Sequence, residues 1–142
     1  MMRRARGFTL IEIMVVVVIL AILGTLVAPQ ILGRIDEARV TKTRNDLRLY
    51  QSALDLYRMD NFRYPTTEQG LEALVKKPND PNLKNWRPEG YVDQLRKDPW
   101  GHDYVYVSPG ANGTPYDLLS FGADGQAGGQ GLDADLSVRD PQ

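Results

Sequence analysis

Residues 8–28 read FTLIEIMVVVVILAILGTLVA, a run of 21 residues that contains one charged side chain, Glu12. The hydrocarbon core of a bilayer is about 30 Å thick, and a helix of roughly 20 apolar residues can cross it. This stretch therefore predicts a membrane-spanning helix near the N-terminal end of the chain.

A basic segment precedes the apolar run. Residues 1–7 contain Arg3, Arg4 and Arg6 and no acidic side chain, whereas the rest of the chain has 14 basic and 18 acidic side chains. Basic residues beside a spanning helix stay in the cytoplasm, so residues 30–142 are expected on the other side of the membrane. The overall charge is nearly balanced, with 17 Lys and Arg against 18 Asp and Glu, and does not indicate nucleic-acid binding.

The helical pattern continues beyond the apolar run. No strong turn signal occurs before Asp60-Asn61, and apolar residues recur at helical spacing at Leu47, Tyr50, Leu54 and Tyr57. We predict one long helix over residues 8–59, apolar in its first half and one-sided in its second. Gly24 and Pro29 weaken the middle of this helix, and proline does so because it lacks a backbone N–H. They predict a kink or a locally melted turn near residues 24–29.

Shorter elements follow the long helix. A short helix is expected after Tyr64-Pro65, with Thr66 and Gln69 at the spacing of a capping box. Strands are predicted at residues 103–107 and 116–121, with a weaker candidate at 136–139. The predicted fold class is α+β, with the long N-terminal helix packed on a small antiparallel sheet.

The junction between the basic segment and the apolar run, Gly7-Phe8-Thr9-Leu10-Ile11-Glu12, differs from an ordinary secretory signal, whose cleavage site follows the apolar region. It resembles the signals cut by the prepilin peptidase. The resemblance implies cleavage between Gly7 and Phe8, removal of residues 1–7 as a leader, and N-methylation of Phe8. Residues 8–29 would remain as the membrane anchor and later become the core of a filament.

Glu12 lies inside the apolar run, where a carboxylate costs a few kcal/mol. Four residues at 1.5 Å place it about 6 Å along the helix from Phe8. The α-amine of Phe8 in a neighbouring copy could neutralise Glu12, which would favour one register of helix against helix. Glu12 and Phe8 are therefore predicted assembly residues. The alternative is an interfacial acid with no partner.

Three further stretches carry a resemblance over most of the chain: residues 61–71, 98–101 and 116–120. With the N-terminal motif, they are similar to the major pseudopilins of bacterial type II secretion systems. The resemblance implies a pilin-like periplasmic head, residues 30–142, on a single-pass inner-membrane helix with a cytoplasmic N-terminus. It implies a non-enzymatic subunit of a helical periplasmic filament that promotes export of folded proteins. The implied partners are further copies, minor pseudopilins, an inner-membrane platform protein and the prepilin peptidase.

Residues 122–135 form a glycine-rich segment, GADGQAGGQGLDAD. Carboxylate and carbonyl oxygens are the ligands of Ca²⁺, but the EF-hand pattern is absent, and such a loop can equally be merely flexible. The resemblance implies a calcium ion here. It carries over Asp124, Asp133 and Asp135 as side-chain ligands, with backbone oxygens of Leu119 and Gln126 as further candidates.

Other functions stay open at this point. A type IV pilin subunit shares the N-terminal signal, although pilins usually close a C-terminal loop with a disulfide and this chain has no cysteine. A membrane-tethered periplasmic enzyme or calcium-dependent binding module is the alternative from a different class. The single histidine, His102, and the lack of cysteine exclude His/Cys metal clusters and Cys–His nucleophiles.

Overall fold

The computed structural model describes residues 7–141. Residues 1–6 of the predicted leader lie outside this range. The chain divides into two compact units between Glu37 and Ala38, and one long helix, α1, runs through the division from Leu10 to Asn61. The predicted long helix over residues 8–59 is confirmed with both ends displaced by two residues.

The helix α1 is helical throughout its 52 residues, including Gly24 and Pro29. A locally melted turn near residues 24–29 is therefore not found, and that alternative was wrong. A proline removes only one helical hydrogen bond, and the neighbouring bonds of a long helix keep the turn formed. A bend at this position stays a prediction.

In the first unit, every described residue from Gly7 to Ile35 is exposed. These residues include an apolar stretch long enough to cross a membrane, none of which is buried within the chain. Burying apolar surface is the main favourable contribution to folding and association. We therefore expect a membrane or another protein to cover this surface.

The second unit has its own hydrophobic core. The buried residues of α1 recur every three or four positions, as expected for one face of a helix. This face packs against apolar residues from the following chain. The largest core residues on α1 are Leu47, Tyr50, Leu54 and Tyr57; those from later segments are Leu71, Leu74, Leu83, Tyr104, Tyr106, Tyr116 and Leu118.

A three-stranded antiparallel sheet follows α1. Its strands are β1 (Val105–Val107), β2 (Asp117–Ser120) and β3 (Leu136–Ser137), in the order β1-β2-β3. Each of the three predicted strands is present but shorter than predicted. Tyr106, Leu118 and Ser120 are buried and alternate with less buried neighbours, as in a sheet with one face on the core.

The predicted short helix is a turn followed by one 3₁₀ segment, Leu71–Leu74. The capping-box bonds are both formed: Gln69 Oε1 accepts from the Thr66 N–H at 3.0 Å, and Thr66 Oγ1 accepts from the Gln69 N–H at 3.2 Å. Gly70 then takes a φ of +57°, which interrupts any α-helix and leaves room only for a short 3₁₀ segment.

Candidate functional site

The predicted cleavage site lies just ahead of α1. Gly7 and Phe8 are exposed and non-helical, and the Phe8 side chain is 79% exposed. A peptidase needs an accessible peptide bond outside regular structure, and both residues of the Gly7–Phe8 bond are exposed and precede the helix. Cleavage and methylation at this bond stay predictions.

Glu12 takes part in a local contact that the sequence reasoning missed. Its Oε2 accepts from the Thr9 N–H at 3.4 Å, and Thr9 Oγ1 accepts from the Glu12 N–H at 3.3 Å. These reciprocal bonds form a capping box at the start of α1, and the Thr-x-x-Glu spacing was its signal in the sequence. Within one chain, Glu12 therefore helps to begin the helix before any second copy is present.

The candidate calcium loop, residues 122–135, contains the three predicted aspartate ligands. The Asp124 carboxylate accepts from the Gln126 N–H at 3.0 Å, and both Asp135 oxygens accept from the Gly128 N–H at 3.0 Å. Asp133 ends a 3₁₀ segment, Gly131–Asp133. Residues 7–141 contain no group of three or more Asp, Glu, His or Cys side chains placed to hold a metal. The structure thus leaves the three aspartates outside a common cluster.

The backbone of the same loop packs carbonyl groups closely against two of its glycines. A Cβ on Gly122 would lie 2.7 Å from the Leu132 carbonyl oxygen and 2.8 Å from that of Ala134, and a Cβ on Gly129 would lie 2.4 Å from the Asp133 carbonyl oxygen. Only glycine allows this approach. Carbonyl and carboxylate oxygens together are the donors that Ca²⁺ prefers, so the chemistry of the loop fits that ion.

The candidate backbone ligands lie in different settings. Leu119 is a residue of β2 and pairs with Val105 on β1 and Ser137 on β3. Gln126 lies in the loop itself, two residues after Asp124, and its N–H is the group that binds the Asp124 carboxylate. The structure therefore brings Gln126 next to a predicted ligand and places Leu119 in the sheet.

A buried polar group next to the loop was also missed. Asp98 is completely buried at its side chain, and its Oδ2 accepts from the Ser120 Oγ at 2.7 Å. The Ser120 Oγ in turn accepts from the Gly122 N–H at 3.2 Å. The sequence singles out residues 98–101 only through the family resemblance and His102 only as the single histidine, so neither indicates this contact.

Comparison with known proteins gives two family matches, which together cover most of the chain. Residues 2–28 match the prokaryotic N-terminal methylation motif, and residues 30–139 match type II secretion system (T2SS), protein G.

Curated relatives from several bacteria carry the name "Type II secretion system core protein G". The chain is 56% identical to the one from Pseudomonas aeruginosa over 135 residues, which cover 94% of each protein. It is 53% identical to the one from Vibrio cholerae, covering 95% of this chain and 92% of that protein. It is 51% identical to the one from Escherichia coli K12, covering 88% and 86%.

The fold is similar to that of a solved pseudopilin structure, as one example shows. It is the crystal structure of the major pseudopilin from the type 2 secretion system of enterohaemorrhagic Escherichia coli. The similarity has a TM-score of 0.63 at 45% sequence identity, and it covers 75% of this chain and 90% of the other. The combination of one long N-terminal helix and a small antiparallel sheet is thus shared with a protein of experimentally determined structure.

Proposed function

The chain belongs to the type II secretion system protein G family of pseudopilins, and from this we propose that it assembles into a helical filament that promotes export of folded proteins across the outer membrane. The family consists of structural subunits rather than enzymes. The matches favour this function over a type IV pilin and over a membrane-tethered binding module.

The exposed apolar half of α1 is the observation that carries this proposal. Every described residue up to Ile35 is exposed, and no other part of the described chain buries the apolar stretch. A bilayer covers such a surface before assembly, and the equivalent helices of neighbouring subunits cover it afterwards. One surface therefore serves as the anchor of the stored subunit and as the core of the filament.

We further propose the following topology and processing. An N-terminal apolar helix anchors the chain in the inner membrane, the basic leader faces the cytoplasm, and the head faces the periplasm. The prepilin peptidase cuts between Gly7 and Phe8, and Phe8 is then N-methylated. The match of residues 2–28 to the methylation motif supports this processing. Minor pseudopilins and an inner-membrane platform protein are the proposed partners in assembly.

Glu12 is proposed to act in two stages. In the single chain its carboxylate accepts from the Thr9 N–H across 3.4 Å, which is a long and weak hydrogen bond. After cleavage, the α-amine of Phe8 on an adjacent subunit offers a full positive charge. An ion pair away from water is much stronger than a weak bond to an amide, so Glu12 can exchange the first partner for the second during assembly.

We also propose that residues 122–135 bind Ca²⁺ through Asp124, Asp133 and Asp135 together with carbonyl oxygens. When bound, the ion would supply the positive charge that holds these oxygen atoms together. The donor types of the loop, carboxylates with carbonyl oxygens packed close to Gly122 and Gly129, support this proposal. Thermal unfolding of the full chain in detergent micelles, with calcium and with a chelator, tests it, because a ligand of the folded state raises the unfolding temperature.

Substitutions of Glu12 test the assembly proposal. Glu12→Gln keeps an acceptor for the Thr9 N–H but has no charge, whereas Glu12→Ala lacks both. We expect both variants to insert, to be cleaved to the normal mature mass, and to form few filaments by electron microscopy. The matched control is Glu37→Ala, which removes an exposed glutamate of the same helix outside the apolar stretch and should assemble normally.

The Glu12→Gln variant decides between capping and charge pairing. Filaments at the wild-type level in Glu12→Gln, with few in Glu12→Ala, would show that Glu12 acts through its capping box alone. Wild-type export by both variants, in cells that lack their own protein G, would contradict the assembly role of Glu12 altogether.

A further inference from the structure

A polar cluster, buried at Asp98 and Ser120, lies against the first residues of the candidate calcium loop. It consists of Asp98, His102 and Ser120, and we call it the Asp98 cluster. We propose that these are positioning residues, which hold residues 122–125 in the conformation that receives the cation. The inference rests on the calcium proposal above and adds to it the residues that determine affinity without touching the ion.

The centre of the cluster is the Asp98 carboxylate. Its Oδ1 accepts from the N–H groups of Trp100 at 3.1 Å and of His102 at 2.8 Å, and its Oδ2 accepts from the Ser120 hydroxyl at 2.7 Å. A buried carboxylate without such donors would be very costly. Its three donors therefore fix the turn at residues 98–102 and connect it to the end of β2.

Ser120 extends this connection to the loop. A hydroxyl has one hydrogen to donate, and the Ser120 hydroxyl donates it to Asp98 Oδ2 in a hydrogen bond. The lone pairs of the Ser120 oxygen are then directed to other donors, and the Gly122 N–H occupies one of them at 3.2 Å. Because Ser120 is completely buried, water cannot replace it as the acceptor for this N–H.

His102 holds the same residue from the other side. Its Nδ1 lies 3.2 Å from the Gly122 carbonyl oxygen and 3.8 Å from Asp98 Oδ2. Both neighbours are acceptors, so Nδ1 carries the hydrogen and donates to Gly122. Gly122 therefore has its N–H and its carbonyl group held by two members of one cluster.

The His102 ring also contacts the loop three residues further on. A Cβ on Gly125 would lie 2.9 Å from His102 Nε2, so the ring occupies the space of a side chain at that position. Gly125 has a φ of +67°, a conformation that glycine adopts without strain. The contacts at Gly122 and Gly125 lie on either side of Asp124, the predicted ligand.

Preorganisation is the consequence of this arrangement. A loop already fixed in its bound conformation loses little conformational freedom when the ion binds, whereas a loose loop must be ordered by the binding itself. Removing the cluster should therefore leave every proposed ligand in place and still weaken calcium binding.

The experiment compares variants of the full chain in detergent micelles. His102→Ala removes both loop contacts, and Ser120→Ala removes the acceptor for the Gly122 N–H. His102→Asn is the conservative variant, because its amide can donate from the position of Nδ1. Arg87→Ala is the control for general destabilisation, since it breaks an ion pair with Asp60 on α1.

Two measurements are made on each variant. Calcium affinity is obtained by calorimetric titration, and the order of the loop is obtained from hydrogen exchange of peptides covering residues 121–126 in chelator. We expect His102→Ala and Ser120→Ala to weaken calcium binding about tenfold and to speed loop exchange by a similar factor. His102→Asn restores the donor to the Gly122 carbonyl group but not the ring beside Gly125, so it should recover part of both losses. Arg87→Ala should lower the unfolding temperature with an unchanged Kd.

The outcomes separate the two proposals. A wild-type chain that binds no calcium overturns the calcium proposal and this inference with it. A wild-type chain that binds calcium, with the same Kd in His102→Ala and Ser120→Ala, overturns the positioning role alone. A lower unfolding temperature without a change in Kd, as in the Arg87→Ala control, also overturns it, because the cluster would then be merely structural.

Discussion

Tyr57 on α1 is completely buried, and its hydroxyl has no hydrogen-bond partner among residues 7–141. The ring itself is well packed, with its centroid 5.2 Å from that of Tyr91. A buried hydroxyl without a partner costs about 1–3 kcal/mol relative to water. Tyr57→Phe removes this oxygen and keeps the ring, so we expect it to stabilise the head.

The expected gain in stability from Tyr57→Phe is smaller than the full desolvation cost. Removing the oxygen leaves a small void and also removes its van der Waals contacts. We expect a net stabilisation of about 1 kcal/mol. For a unit of this size that corresponds to an increase of about 4 °C in the unfolding temperature. Thermal unfolding followed by near-ultraviolet circular dichroism, on the full chain in detergent micelles, measures this change.

Tyr106→Phe is the matched control, because it is the same chemical change in the same core. The Tyr106 hydroxyl donates to the carbonyl oxygen of the buried Pro65 at 2.8 Å. Its removal leaves that oxygen unsatisfied and should cost about 1–3 kcal/mol. The two variants should therefore shift the unfolding temperature in opposite directions. A loss of stability in Tyr57→Phe equal to that in Tyr106→Phe would refute the reasoning.

Two further predictions concern pH and the loop. Burial raises the pKa of Tyr57, Tyr106 and Tyr116 to about 12. The folded state therefore holds protons that the unfolded state loses near pH 10, and stability should fall between about pH 10 and pH 12; a fall starting below pH 9 in a circular dichroism titration would contradict this. Gly122→Ala should cost more stability than Gly128→Ala in thermal unfolding, because both have positive φ but only at Gly122 would a Cβ meet carbonyl oxygens; equal losses would argue against that crowding.

The long helix could be predicted from the sequence because its signal is local. Apolar residues repeat at helical spacing, and no turn cluster interrupts them before Asp60-Asn61. Its true ends depend on capping groups. Thr9 caps the start, and at the other end the Asn61 side chain donates to the Tyr57 carbonyl oxygen while Phe62 takes a φ of +62°. Only the first of these has a recognisable spacing in the sequence.

The sequence predicts where the strands lie but not how long they are. Strand propensity is spread over residues 103–107, yet only Val105–Val107 pair, opposite Asp117–Leu119. Pairing requires a partner at the right distance, and this is a property of the folded chain rather than of one segment. For the same reason β3 is reduced to Leu136–Ser137.

The Asp98 cluster shows what sequence spacing cannot reveal. Asp98 and Ser120 are separated by 22 positions, and they meet through the hydrogen bond between the two buried side chains. No periodicity connects them. The carbonyl oxygens packed against Gly122 cannot be predicted from the sequence either. Every residue has a carbonyl group, and only folding decides which of them come close to Gly122. The carboxylates of the loop could be predicted as ligands because the residue type alone shows which side chains carry a carboxylate.

The head has another means of stabilisation besides a disulfide or a cation. The chain contains no cysteine, but several tyrosines combine a core-packed ring with a bonded hydroxyl. These bonds join α1 to later segments at Tyr50–Arg96, Asp46–Tyr104, Asp55–Tyr64 and Asp60–Tyr91. A bonded hydroxyl contributes about 1 kcal/mol, so four of them are comparable to one disulfide at about 2–4 kcal/mol. They also fix both the position and the rotation of α1 against the rest of the head. We therefore expect calcium to order the rest of the loop, residues 126–135, on a head that is already folded, rather than to be required for its folding.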